Sequence, residues 1–197
     1  MEIESKYKAS EAQLADLLGV YALGGYRLGD IEEQSLTDYY VDTAERDIWE
    51  AGYACRIREK NGQWVLAVKG LGGVEGSIHQ REEYEVEVQQ DTPPELWPDS
   101  PARDLVISLA RSRPLVDLCT INQRRTKRAV HQGQRRVGEM SLDIVDMGSG
   151  ARIYEVEVEL QQDGTLKDLQ ALDEILQTCG LQPESRSKFE RAMAQLD

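Results

Sequence analysis

The sequence has 197 residues, 40% of them hydrophobic and 30% charged, enough chain for one substantial folded core and tight for two. Its net charge of −13 argues against a general nucleic-acid or anionic-membrane binder, because either needs a basic surface to displace counterions. No apolar run nears the roughly 18 to 20 residues that span a bilayer. Met1-Glu2-Ile3-Glu4 has no signal-peptide character, and Cys55, Cys119 and Cys179 lie far apart, so a cytoplasmic protein without a disulfide framework is expected.

Residues 2–8 alternate in the period of a strand. Ser10 is placed to cap a short helix carrying Leu14, Leu17 and Leu18, with Gly19 at its end. The Tyr-, Val- and Thr-rich run 36–43 predicts a second strand, followed by a helical turn over 45–51 that ends at Gly52. Strands 53–59 and 63–70 flank Asn61-Gly62, a strong hairpin signal. A Gly-rich loop over 70–76 precedes a strand at 79–89. Prolines 93, 94, 98 and 101 then break structure before a helix near 102–112 that Pro114 ends. Residues 119–131 and 136–146 read as a hairpin around Gly133, and 152–161 as a further strand. Two helices close the chain, 165–179 and 185–196, the latter capped by Ser185. No linker divides the run, so residues 1–197 are expected to form a single domain.

Alternation assigns each strand residue to a face. One face gathers Glu2, Glu4, Lys6 and Lys8; Arg56 and Arg58; Lys69; Arg81, Glu83, Glu85 and Glu87; Glu139, Ser141 and Asp143; and Glu155, Glu157 and Glu159. The opposite faces carry Cys55, Ile57, Tyr84, Val86, Met140, Leu142, Val156 and Val158. A half-exposed sheet with its charged side in water would explain such a split. The density of like charges argues otherwise, since directly opposed like charges destabilise a sheet unless a counterion bridges them. A divalent cation with a polyphosphate would bridge both signs. Amphipathic helices must cover the apolar face, which leaves the charged face for the inside if the sheet closes on itself. In 119–131 both faces carry cations, Arg124 and Arg128 on one and Arg125 and Lys127 on the other, with a slight preference for Arg125 facing inward.

At this point the sequence resembles the CYTH family, the triphosphate tunnel metalloenzymes. Glu2-Ile3-Glu4-Ser5-Lys6 is similar to the family's ExExK signature. Tyr39-Tyr40-Val41-Asp42-Thr43, Arg56-Ile57-Arg58, Lys69, Arg81-Glu82-Glu83-Tyr84-Glu85, Arg125, Asp143, Glu155-Val156-Glu157-Val158-Glu159 and Ser187-Lys188-Phe189-Glu190-Arg191 follow in the family's order. The resemblance implies an α+β fold, a closed antiparallel eight-stranded β-barrel forming a tunnel with a polar interior and helices packed outside. It implies a triphosphate bound by Lys6, Lys8, Arg56, Arg58, Lys69, Arg81, Arg125 and Lys188, and Mg²⁺ or Mn²⁺ held by Glu2, Glu4, Glu157 and Glu159. Glu85 or Asp143, or a second metal ion, would orient the attacking water, with Lys6 assisting catalysis. Arg135, Arg136 and Glu139 are further tunnel candidates, whereas His79 and His131 are expected at the surface or strand ends. Trp49, Trp64 and Trp97 are expected to pack.

The expected activity is hydrolysis of a triphosphate to diphosphate and phosphate, foremost inorganic tripolyphosphate, with nucleoside or thiamine triphosphates as further substrates. Class IV adenylyl cyclase, making cyclic AMP from ATP, is the alternative within the family, and a non-catalytic polyphosphate-binding module the alternative outside it. The partner is a small-molecule triphosphate, with no nucleic acid and no membrane; a homodimer stays open.

Overall fold

A computed structural model describes residues 1–90, 92–147 and 152–195. Strand β1 (Glu2–Ala9) runs into α1 (Glu11–Gly19), whose N-terminus Ser10 and Gln13 cap reciprocally. Two short strands not foreseen in the sequence, β2 (Ala22–Leu23) and β3 (Tyr26–Leu28), precede β4 (Glu32–Thr43) and the single turn α2 (Asp47–Glu50). The Asn61-Gly62 turn joins β5 (Tyr53–Lys60) to β6 (Gln63–Gly70), both turn residues having positive φ (54° and 78°). Next come β7 (Val74–Glu75), β8 (Ile78–Arg81), β9 (Glu83–Val88) and α3 (Pro101–Ala110). Helix α3 stops where Arg111 turns left-handed at φ 52°, three residues before Pro114. The rest is β10 (Leu115–Gln132), β11 (Arg135–Asp146), β12 (Arg152–Leu160), α4 (Leu166–Thr178), β13 (Gln182–Pro183) and α5 (Lys188–Met193).

Among the described residues thirteen strands form one sheet with antiparallel pairing, in the order β7-β8-β1-β12-β11-β10-β4-β5-β6-β9, with β13 beside β1 and β2–β3 beside β10. This corrects the closed eight-stranded barrel. The predicted strand 79–89 breaks at Glu82: β8 pairs with β1, whereas β9 pairs with β6. Among the described residues no ladder joins the two ends of the sheet; the chain itself crosses between them at Glu82, helped by Gly70 N–H donating to the Glu82 carbonyl at 3.0 Å. The sheet nevertheless curls fully, because Lys69 of β6 reaches Glu2 of β1 at 2.8 Å although five strands of the path separate them. The curl encloses a lumen.

The helices cover the outer face. Leu14 and Leu17 of α1 and Leu169, Leu172 and Leu176 of α4 pack on Tyr7, Met140, Leu142, Val156 and Val158. Asp173 of α4 also accepts hydrogen bonds from Tyr7 Oη (2.6 Å) and Ser77 Oγ (2.5 Å), which fixes the helix along β1. Ala102 and Val106 of α3, Ile48 and Trp97 pack on Cys55, Leu66 and Val68. The last helix is shorter than predicted and starts later. Ser187 forms a reciprocal cap with Glu190, whereas Ser185 has Lys188 at the third position and no carboxylate to return the bond. All three cysteines are free, and no helix among the described residues is long and apolar enough to cross a membrane.

Because the apolar core lies outside the lumen, stability and site are separable. Leu172→Ala, at a side chain 1% exposed, is expected to cost about 2–5 kcal/mol in urea unfolding, while ligand binding in the lumen of the remaining folded protein stays at the wild-type level.

Candidate active site

The lumen is built from rows of side chains that strand register sets beside one another. Glu139, Glu159 and Glu4 form one row across β11, β12 and β1. Ser141, Glu157 and Lys6 form the next, with Lys127 added from β10; Arg125, Asp143 and Glu155 form the third, whose register continues to Lys8 on β1. Three adjacent carboxylates in the first row repel one another. Cations answer for two of them: Glu139 pairs with Lys127 and Arg136, and Glu4 with Arg81 (2.5 Å) and Lys6 (3.2 Å). Glu159 has no hydrogen bond or ion pair among the described residues. Burial, with the charges of Glu2 and Glu4, pushes its carboxyl up to about 7.

Glu2 accepts from Lys69 Nζ at 2.8 Å and Arg81 Nε at 2.9 Å. Burial works against its ionisation, but these two charges outweigh it and hold the carboxyl far below the usual range. Glu83 shares Lys69 with Glu2; burial and the Glu2 charge raise it to about 7 despite the lysine. Lys6, 2% exposed, stays protonated because Glu4 and Glu157 overcome the cost of burying an ammonium.

The facing wall carries a guanidinium pair on a buried carboxylate. Asp38 of β4, fully buried, accepts two bonds from Arg58 at 2.6 and 2.8 Å and one from Gln123, with Arg56 Nε at 3.8 Å. Burial would raise Asp38, yet the Arg56 and Arg58 charges lower it to about 2. Arg56 Nε is itself buried with no hydrogen-bond acceptor, so this donor at the lumen wall is charge-paired but not hydrogen-bonded.

Helix α5 closes one end. Phe189 stacks on Tyr40 (4.5 Å between centroids) and meets Trp49 edge-on (5.2 Å), which seats the helix. Its neighbour Lys188 thereby points inward, to Asp143 (2.9 Å), Glu157 (2.7 Å) and Glu155. Oxygens of Asp143, Glu155 and Glu157 lie within 4.8 Å of one another, a buried acidic group with the spacing of a cation site. Arg125 forks onto Asp143 (2.8 and 2.5 Å) and reaches Glu157 (2.6 Å). Burial disfavours the Asp143 charge, but Arg125 and Lys188 hold that carboxyl below its usual range.

One cavity thus brings together Glu2, Glu4, Lys6, Arg56, Arg58, Lys69, Arg81, Arg125, Glu157, Glu159 and Lys188, all named from the sequence, with Ser141 and Ser187 beside them. Its free volume is about 70 Å³, and its cations and carboxylates are paired with one another across it. Lys8 is a correction: the strand carries it past the end of the lumen, where its side chain is half exposed and pairs with Glu184 at 3.5 Å. Glu85 stands at the rim, 51% exposed and 3.6 Å from Arg56, and Asp143 at the fully buried floor. In β10 Arg125 and Lys127 face inward; Arg128 instead donates to the carbonyls of Val20, at the exit of α1, and Gly29, after β3, and Arg124 is exposed. His79 is not at the surface but buried, its Nε2 2.8 Å from the Glu184 carbonyl oxygen, and burial with the nearby Lys6 lowers its pKa. Trp49, Trp64 and Trp97 pack, Trp64 against Tyr39 at 5.6 Å. Sequence reasoning left Asp38, Glu83, Glu155 and Arg191 without roles. The signal for Asp38 was its spacing opposite Arg58, legible only once β4 and β5 are paired.

Asp38→Asn is expected to remove about 3 kcal/mol of stability by leaving buried Arg56 and part-buried Arg58 without their shared counter-charge. The folded carboxyl lies below its unfolded value of 3.8, so its contribution is complete above about pH 4 and lost as pH falls through about 2. Acid-unfolding curves of the variant should therefore be flatter across that interval.

Comparison with known proteins bears on this lumen. In fold, the chain is similar to the Hippeastrum protein HpAC1, a proposed adenylyl cyclase described as having a dominant triphosphatase activity (TM-score 0.80, 22% identity, 99% of this chain and 96% of that one). It is also similar to a proposed adenylate cyclase from Bacillus halodurans (0.68, 21%, 97% and 96%). The PH1819 protein of Pyrococcus horikoshii gives 0.65 and 22%, with 99% of each chain covered. The CYTH domain model matches residues 1–193, and the chain belongs to the CYTH domain family.

Proposed function

We propose that the lumen binds a triphosphate together with Mg²⁺ or Mn²⁺ and hydrolyses its terminal phosphoanhydride bond, inorganic tripolyphosphate being the foremost substrate. The observation that carries this reading is a pair of under-satisfied groups: Arg56 Nε is buried with no hydrogen-bond acceptor, the Asp38 oxygen standing 3.8 Å away, and Glu159 makes no ion pair among the described residues, feeling the Lys69 charge only at a distance. A polyanion answers the first and a divalent cation the second. The donor set suits such an ion, since carboxylate oxygens are what Mg²⁺ and Mn²⁺ prefer. Glu2, Glu4, Glu157 and Glu159 would hold it, and it would supply charge neutralisation at the phosphate oxygens.

The protein's own groups do the rest by positioning and charge. Arg56, Arg58, Lys69, Arg81 and Arg125 offer forks and a point charge along the lumen, each now held by a carboxylate that a phosphate oxygen can replace. Lys6 and Lys188, kept protonated by buried acids, stabilise charge developing on the phosphate. Asp143 anchors Arg125 and Lys188, while Glu85, with open space at the rim, orients the water. Water attacks the terminal phosphorus, the bridging P–O bond breaks, and diphosphate and orthophosphate leave.

The test is phosphate release from tripolyphosphate, ATP, GTP and thiamine triphosphate with Mg²⁺ and with Mn²⁺, alongside assay for cyclic AMP. Orthophosphate from tripolyphosphate is expected. Cyclic AMP from ATP would overturn the ranking in favour of a cyclase, and tight binding without turnover would leave a binding module. Glu4→Gln should lower metal-supported turnover about 100-fold with the circular dichroism spectrum unchanged; full activity in that variant would refute the metal assignment.

A further inference from the structure

Behind α5 lies a second cleft, and its charge runs against that of the whole molecule. Acidic residues outnumber basic ones 36 to 23 over the chain, yet the cleft is lined by Lys8, Arg152, Arg186 and Arg191 against the single carboxylate Glu184. It measures about 500 Å³ and is walled by Met147, Ile153 and Tyr154. Helix α5 is the partition: Lys188 and Phe189 face the lumen, while Arg191 and Ala194 face the cleft.

The cations differ in how they are held. Arg191, with a side chain 10% exposed, forms part of the floor, anchored to Glu155 and at 3.5 Å to Glu184. Glu184 is 2% exposed and its Oε2 accepts no hydrogen bond. It lies between Lys8 (3.5 Å), Arg186 (4.0 Å) and Arg191, so one buried carboxylate faces three cations. Arg152 is exposed and has no ion-pair partner among the described residues. Subtracting Glu184, and Glu155 which holds Arg191 from below, still leaves a surplus of positive charge on a concave surface with apolar walls, the setting in which a field acts on a small anion rather than being screened away.

We propose that this cleft is a second anion site, taking an oxyanion of the phosphate class in the fork of Arg152 and Arg186 with Lys8 and Arg191 beneath. Arginine's paired donors match such an anion. The inference does not depend on what the lumen binds. It also accounts for Lys8, which the strand pattern puts on the face of Glu4 and Lys6 but which lies beyond the partition. The two compartments share one group: Glu155 accepts from Lys188 on the lumen side and from Arg191 on the cleft side.

Backbone-amide NMR of the full chain, titrated with orthophosphate at fixed ionic strength, tests the proposal. Saturable shifts are expected at Ala9, Ile153, Tyr154 and Arg186, and the double variant Arg152→Gln/Arg186→Gln, altered only at exposed side chains, should weaken them at least tenfold. A parallel titration with tripolyphosphate distinguishes sources: tighter binding lost in the variant means that the cleft takes the end of a phosphate chain, and equal binding means free phosphate. Shifts confined to the lumen residues, an unchanged curve in the double variant, or the same shifts with sodium chloride alone would each overturn the proposal.

Discussion

Like charges placed side by side by strand register are the constraint on which this molecule turns. Glu139, Glu159 and Glu4 occupy adjacent positions on three neighbouring strands, with Glu2 close by on the same face. On a flat sheet such a row would have to be diluted by water. Here the sheet curls, and Lys69, from a strand remote along its order, arrives within hydrogen-bond distance of Glu2, where it joins Arg81 from the neighbouring strand β8. Curvature therefore serves electrostatics: it brings opposite charges from distant strands into contact and removes them together from solvent.

Burying so many ions contributes little net stability, because desolvation offsets most of the Coulombic gain. The stabilising work falls to the apolar layer outside, where α1, α3 and α4 cover the convex face. What the interior gains is preorganisation. Guanidinium and ammonium groups are already oriented and desolvated, so an incoming anion meets fixed dipoles instead of reorganising water. Asp38 illustrates the division of labour, contacting no solvent and holding two arginines in place for whatever enters.

Most of the lumen was legible in the sequence because period two is a local property, and the alternations in 2–8, 139–145 and 153–160 name inward residues without knowledge of any partner strand. What escaped depends on neighbours distant in the chain. The break at Glu82 exists because the two halves of one predicted strand serve different partners. Arg125 rather than Arg128 faces inward because the carbonyls at the end of α1 claim the latter. Lys8 was misjudged since alternation gives a face but no depth along the strand. The start of α5 at Lys188 was recoverable, for Ser187 and not Ser185 has a carboxylate three residues on.

The seam at Glu82 has a mechanical meaning. Everywhere else along the sheet's path neighbouring strands are zipped by ladders; between β8 and β9 a single residue of backbone spans the gap. The layers under α1, α3 and α4 lie on the convex side, and on the lumen side the join is bridged by Lys69, which pairs with both Glu2 and Glu83. Cut there, the cylinder would be a sleeve slit along its length and pinned across the slit chiefly by charge, through Lys69 and Glu2.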